Sequence, residues 1–331
     1  MAAGFDLQAL ARQIRDARGI AHKRDIDAVV ARLGLNVRRA TVPVGDDCAA
    51  IPDGDGHLLF AIEGFLDSFV AADPYFAGYC GIMVNLSDIA AMGGRPLAVV
   101  DALWSRDAAA AEPILAGLSD AAALYGVPIV GGHTNTRADT GNLAVAVLGR
   151  AGRRLLTSFD AAPGDDLVAA IDLRGRFRDP YPYWDASTGT AGERLRGDLA
   201  LLPALAEDGL CRAAKDISMA GVVGTALMLL ECSNVGGVID LDAIPRPADV
   251  PLDRWLNAFP SFGYLLSVHP ERTPAVRARF AERDIAVATV GRLDASRVAR
   301  VRDAAGGEAV VWDFALSPLI GCGQNGLGAV P

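Results

Sequence analysis

The sequence predicts an α/β protein of two domains, on three observations. Its 331 residues exceed what one hydrophobic core comfortably serves. Apolar runs of strand length alternate with longer runs at helical spacing through most of the chain. That alternation breaks once, at Gly152–Asp166, where charges and a Pro-Gly turn separate two apolar regions. The expected organisation is a helical extension over residues 1–40, an N-terminal domain over 41–152 and a C-terminal domain over 153–331.

Taken in order, residues 5–33 hold two helical patterns, FDLQALARQIRDARG and RDIDAVVARLG, each running to a glycine suited to a helix C-cap. Next comes an apolar approach to the turn Gly45-Asp46-Asp47, a second turn at Pro52–Gly56, and a buried strand from Leu58 to Ile62 with Glu63 at its end. Asp73-Pro74 marks a helix start, Asp73 as cap and Pro74 in the first helical position. Tyr79, Met83, Leu86, Ile89 and Ala90 follow at helical spacing, while Asn85 and Asp88, three apart, share another face.

PLAVVDALW reads as a strand, Ala108–Tyr125 as a helix, and VPIV as a strand delivered onto the glycines of GGHTNTRADTGN. Glycine there lets backbone amides approach a ligand closely. NLAVAVLGRA closes the first half. The second half opens with the strand LVAAIDL, then a loop over Arg174–Thr190 long enough to signal function or mobility, then a helix from Gly192 to Glu207. Asp216 and Ser218 precede a helix bearing Val222, Ala226, Leu229 and Leu230. VIDL, FGYLLSV, IAVATVGRL and AVVWDF supply further strands around a helix near Pro274–Arg283, and the glycine-rich stretch after Pro318 reads as a loose tail.

Composition narrows the function classes. A hydrophobic fraction of 51% with mean hydropathy +0.26 fits a well-buried globular protein. No segment approaches the roughly 20 uninterrupted apolar residues of a membrane helix, and Arg12, Arg15 and Asp16 occupy the place of a signal peptide's apolar core, so a cytoplasmic, membrane-free protein is expected. The five cysteines are scattered and never in a CxxC pair, which suggests neither a disulfide framework nor a zinc site. A formal charge of −9 disfavours general nucleic-acid binding, and an acidic protein that handles phosphates needs metal ions between the two.

Taken singly, each acid has an ordinary explanation as a cap, a turn or a solvated group. Together, Gly45-Asp46-Asp47, Glu63, NLSDIAAMGG (85–94), GGHT (131–134) and DISMAG (216–221), in this order and with the AAPGDDL turn at 161–167, resemble the ATP-binding superfamily of aminoimidazole ribonucleotide synthetase. That superfamily includes thiamine-monophosphate kinase, selenophosphate synthetase and formylglycinamidine synthetase.

The resemblance implies a two-domain fold. In it an N-terminal four-stranded sheet with helices pairs across a homodimer axis into a barrel, and the C-terminal domain is an α/β sandwich. It implies Mg2+ and ATP, with Asp47, Glu63, Asp88 and Asp216 as metal-binding acids and Asp46 auxiliary to them. It places Asn85, Gly131, Gly132, His133, Thr134 and Ser218 around the nucleotide, and Asp47, Glu63 and His133 in catalysis. Magnesium takes hard oxygen ligands, typically one or two carboxylates with phosphate oxygens, which suits this set. Glu63 stands where the family has aspartate, and His133 replaces the kinase's aspartate, able to bond phosphate, bind metal or pack.

Local similarity is greatest to selenophosphate synthetase, yet no cysteine precedes Gly45 to serve as that enzyme's nucleophile. Met219 and Ser158 stand where the kinase has an aspartate and an arginine. The expected function is Mg-ATP-dependent phosphoryl transfer to, or activation of, a small-molecule acceptor, of kinase or synthetase (cyclo-ligase) type. The alternatives are a catalytically silent nucleotide-binding scaffold and a selenophosphate synthetase-like enzyme.

Overall fold

The structure, a computed structural model, describes residues 6–35 and 42–322. The expected boundary between residues 40 and 41 lies outside the described residues, as does the tail beyond Cys322.

The elements run α1 (Leu7–Arg15), α2 (Arg18–Leu33), β1 (Ala49–Asp53), β2 (Gly56–Phe65), α3 (Asp67–Ala72), α4 (Pro74–Ala91), β3 (Arg95–Trp104), α5 (Ala108–Tyr125), β4 (Ile129–Asn135) and β5 (Asn142–Ala151). They continue with β6 (Asp166–Ile171), β7 (Arg176–Phe177), β8 (Tyr183–Asp185), α6 (Gly192–Leu199), α7 (Leu201–Glu207), β9 (Ala213–Asp216), α8 (Gly221–Cys232) and β10 (Gly236–Asp240). The last are α9 (Leu252–Trp255), β11 (Phe259–Pro260), β12 (Gly263–Val268), α10 (Thr273–Ala281), β13 (Ala286–Asp294), β14 (Val298–Arg302) and β15 (Glu308–Asp313). The chain forms two compact units: residues 47–155 with 187–208, and residues 1–46 with 156–186 and 209–331.

The unit built on residues 47–155 holds a five-stranded sheet in the order β1-β2-β5-β3-β4. Five strands replace the expected four because the turn at Asp53–Gly56 folds β1 back on β2 as an antiparallel hairpin, with Ala49 opposite Phe60. β3 and β4 are parallel, joined through α5. The β2–β5 register sets Phe60 opposite Leu148 and Glu63 opposite Val145. Glu63 therefore sits inside β2, two residues short of its end, not at its terminus.

Helix α4 begins as its sequence dictates: Asp73 accepts from the Phe76 amide at 3.2 Å, and Pro74 needs no partner for an N–H it lacks. One side of α4 covers β2, β3 and β5, and α5 covers the other, so nearly all of the helix is buried. The two helices cross at Gly78 and Gly117. A Cβ on Gly78 would overlap the Ile114 carbonyl, and one on Gly117 the Tyr75 carbonyl. Ser187 is locked beneath them by the hydroxyls of Tyr79 (2.7 Å) and Tyr125 (2.8 Å), which anchors the 187–208 segment in this unit.

That segment contains two helices where one was expected. Pro203 has no N–H to offer the Leu199 carbonyl, so the ladder breaks at Ala200 and restarts as α7.

The other unit is built on a seven-stranded sheet, β15-β14-β10-β13-β6-β12-β9, antiparallel except for the β10–β14 pair. α8, with every residue buried, supplies the centre of its core, in one cluster with Ile20, Leu265 and Phe314. β14, whose VARVR carries two arginines among its valines, went unread in the sequence.

Two further readings change. Gly19 is not a cap: α1 ends at Arg15 with Asp16 as its C-cap, and Gly19 lies in the first turn of α2, where a Cβ would overlap the Met219 carbonyl. Gly34 does cap α2 in the left-handed conformation. The 174–190 loop carries β7 and β8, which form a three-stranded sheet with β11, and its aromatic rings pack in sequence, Tyr181 stacking on Tyr183 at 5.2 Å.

Candidate functional site

The first unit gathers acids where α4 faces the start of the domain. Helical spacing puts Asn85 and Asp88 on one side of α4, both buried. Asp47, half-buried in the turn before β1, brings a carboxylate oxygen within 4.8 Å of one on Asp88. Asn85 spends its amide nitrogen on the Gly81 carbonyl at 2.8 Å, and its buried Oδ1 has no hydrogen-bond partner among the described residues. A buried amide oxygen without a donor is costly and needs an explanation. A ligand bound on this side of α4 would supply one.

Glu63 does not join this pair; it stands half-buried within β2. Gly131, Gly132, His133 and Thr134 are not a loop but the middle of β4, the sheet's exposed edge strand. His133 pairs with Ala102, and its ring lies 5.9 Å from that of Trp104, on the sheet face opposite α4. Asp101, in the neighbouring strand, was missed by the sequence reading. A Cβ at Gly132 would come within 2.6 Å of its Oδ2, and burial holds its carboxyl above the usual carboxylate range. The signal was an aspartate interrupting the apolar run PLAVVDALW.

In the other unit, Asp46 is tied down by Ser158, which donates its backbone N–H at 2.8 Å and its hydroxyl at 2.6 Å. Asp216 closes β9 opposite Tyr264, buried, with Lys215 buried before it. Ser218 donates its backbone N–H toward the Thr225 hydroxyl at 3.3 Å, and its own buried Oγ has no partner among the described residues.

The chain matches the N-terminal domain of AIR synthase related protein over residues 45–151 and the C-terminal domain of that family over residues 189–304. It is 46% identical over 314 residues to the uncharacterized protein sll0787 of Synechocystis sp., covering 93% of this chain and 96% of that protein. This chain belongs to the AIR synthase related family.

Within the AIR synthase related family, the uncharacterized protein MJ0640 of Methanocaldococcus jannaschii is 34% identical over 325 residues, covering 96% of this chain and 100% of the relative. The thiamine-monophosphate kinase of Synechococcus elongatus is 29% identical over 233 residues, 63% of this chain and 70% of the kinase. Among solved structures, PurLQS from Thermotoga maritima superposes with a TM-score of 0.77 at 18% identity over 99% of this chain, which spans 54% of that longer chain. T. maritima PurL complexed with ATP gives 0.71 at 19% identity, covering 98% of this chain and 56% of that one. AaThiL complexed with AMPPCP and TMP gives 0.63 at 20%, covering 83% of this chain and 91% of that one. These likenesses establish the fold: mixed α/β, with two AIR synthase related domains.

Proposed function

We propose that this AIR synthase related protein binds ATP with magnesium and uses it to phosphorylate or activate a small-molecule acceptor. The observation that carries the reading is the approach of Asp47 to Asp88, with the unpartnered Oδ1 of Asn85 one turn away on α4. In this reading Asp47 and Asp88 hold Mg2+, while Asp46, fixed by Ser158, steadies the turn. Bound there, magnesium supplies neutralisation of the triphosphate charge, the main need of phosphoryl transfer. Asn85 offers a buried oxygen to the same ligand. Gly131, Gly132, His133 and Thr134 contact the nucleotide through the exposed strand β4.

Support comes from relatives whose names or titles carry this chemistry: a kinase of thiamine monophosphate, a PurL complexed with ATP, and a ThiL complexed with AMPPCP. The working unit in this reading is a homodimer. Phe60, Ile62, Val100 and Leu148 are exposed apolar side chains on the sheet face opposite α4, and the same face of a second copy would cover them.

The test is ADP formation by the purified protein with Mg2+ and a panel of small acceptors. Magnesium- and acceptor-dependent ADP release supports the proposal, a phosphorylated acceptor marking the kinase outcome and free phosphate with a new C–N bond the synthetase outcome. Nucleotide binding with no turnover on any acceptor would instead make the protein a silent nucleotide-binding partner.

A further inference from the structure

Glu231 lies one residue from the end of α8, is 3% exposed, and carries a negative charge at the helix end where the backbone dipole disfavours one. The segment after Pro318 explains it. Its carboxylate accepts three successive backbone N–H groups, Leu319 at 2.8 Å and Gly321 at 3.2 Å on Oε1, and Ile320 at 2.8 Å on Oε2. Consecutive amides converging on one carboxylate make an anion nest. The side chains of Leu319 and Ile320 are buried in the core, so what reads as a loose tail is, up to Cys322, a fixed strap.

The strap ends on the acidic turn. Cys322 lies so close against Gly45 that a Cβ there would overlap its sulfur, and Gly45 holds a φ of +125°, which other residues rarely adopt. The two residues after Glu231 reach the same turn. Cys232 directs its thiol to the Gly45 carbonyl at 3.7 Å, and Ser233 donates its hydroxyl to the Ser158 carbonyl at 2.7 Å, Ser158 being the residue that grips Asp46. Three consecutive residues at the end of α8 thus hold Gly45 and Asp46 from the strap side, the thiol side and the Ser158 side.

We infer that Glu231 is a positioning residue for the Gly45–Asp46 turn, acting through the 319–322 strap, so that magnesium-dependent nucleotide binding depends on a carboxylate that touches neither metal nor nucleotide. The inference rests on the proposed function, since the next residue, Asp47, is the metal ligand of that reading. Replacement of the nest's anion by an amide sets an NH2 group against a donating backbone N–H and loosens the strap. Enlargement of Cys322 pushes on Gly45 while leaving the nest intact.

The experiment measures, by calorimetry on the full-length chain, the Mg2+ concentration at half-maximal AMPPCP binding for wild type, Glu231→Gln and Cys322→Leu. Melting temperature and the rate of Cys322 alkylation are followed alongside. Both variants should raise the magnesium midpoint at least tenfold while affinity at saturating Mg2+ stays within about twofold, and Glu231→Gln should also speed Cys322 alkylation. If Glu231→Gln does not fold, Cys322→Leu carries the test. A lowered melting temperature with the wild-type magnesium midpoint in every folded variant would make the strap structural only and overturn the inference alone. A wild type that binds no magnesium nucleotide overturns the reading of the site, and this inference with it.

Discussion

Cys211 is fully enclosed, its thiol donating to the Ala213 carbonyl at 3.1 Å and toward that of Ser267 at 3.3 Å. Burial pushes that thiol from its ordinary 9.0 up to about 12. Between those values the folded chain keeps the proton and the unfolded chain releases it, so stability is complete below about pH 9 and falls as pH rises toward 12. Cys211→Ser keeps a donor and removes the titration. Urea unfolding at pH 8, 9 and 10 should show a shallower loss of stability for the variant than for wild type; parallel losses would mean the thiol plays no part. The residue scale is also where the sequence was least informative. Asp88 was legible because i, i+3 spacing put it beside Asn85. Asp101 and Glu231 were not, since one acid in an apolar run looks alike whether it faces a solvated edge, a glycine or three backbone amides 88 to 90 residues away.

Among the elements, α4 and α5 were the most legible: Asp73-Pro74 starts one, and Gly126 caps the other in the left-handed conformation. Their crossing was hidden, because nothing local says that Gly78 and Gly117 must meet another helix's backbone. Gly117→Ala measures that contact. Alanine should gain about 1 kcal/mol of helix propensity, but its Cβ would strike the Tyr75 carbonyl, and overpacking against rigid backbone costs about 1–3 kcal/mol or more. We expect a net destabilisation of about 1–2 kcal/mol by urea unfolding; a neutral or stabilised variant would mean the helices separate easily. The split of α6 from α7 was readable from Pro203, and the β1 hairpin from the turn at Asp53–Gly56, had the strand before it been weighed. The 174–190 region was opaque because, among the described residues, β7 pairs with β8 alone, and β8's other neighbour, β11, lies about 75 residues further on.

At the scale of the whole molecule, the ordered motifs made the family readable, since several motifs in one order are far more specific than any acid taken singly. What they left unreadable is the acceptor, which depends on side chains no motif records. The apolar sheet face carries one expectation: Ile62→Glu places a charge at its centre, where Ile62 is 66% exposed in the single chain. Light scattering after gel filtration should show a dimer for wild type and a monomer for the variant, while an unchanged mass would mean that another surface, or none, joins the copies.

In the proposed function, paired carboxylates on the Asp47 turn and α4 hold a magnesium nucleotide. Titration calorimetry of AMPPCP into wild type and Asp88→Asn, each with Mg2+ and with EDTA, tests it directly. Wild type should bind only with magnesium, and the variant should lose at least about 100-fold in affinity, as expected when a metal ligand is removed. Equal affinity in the two proteins, or wild-type binding indifferent to EDTA, would contradict it.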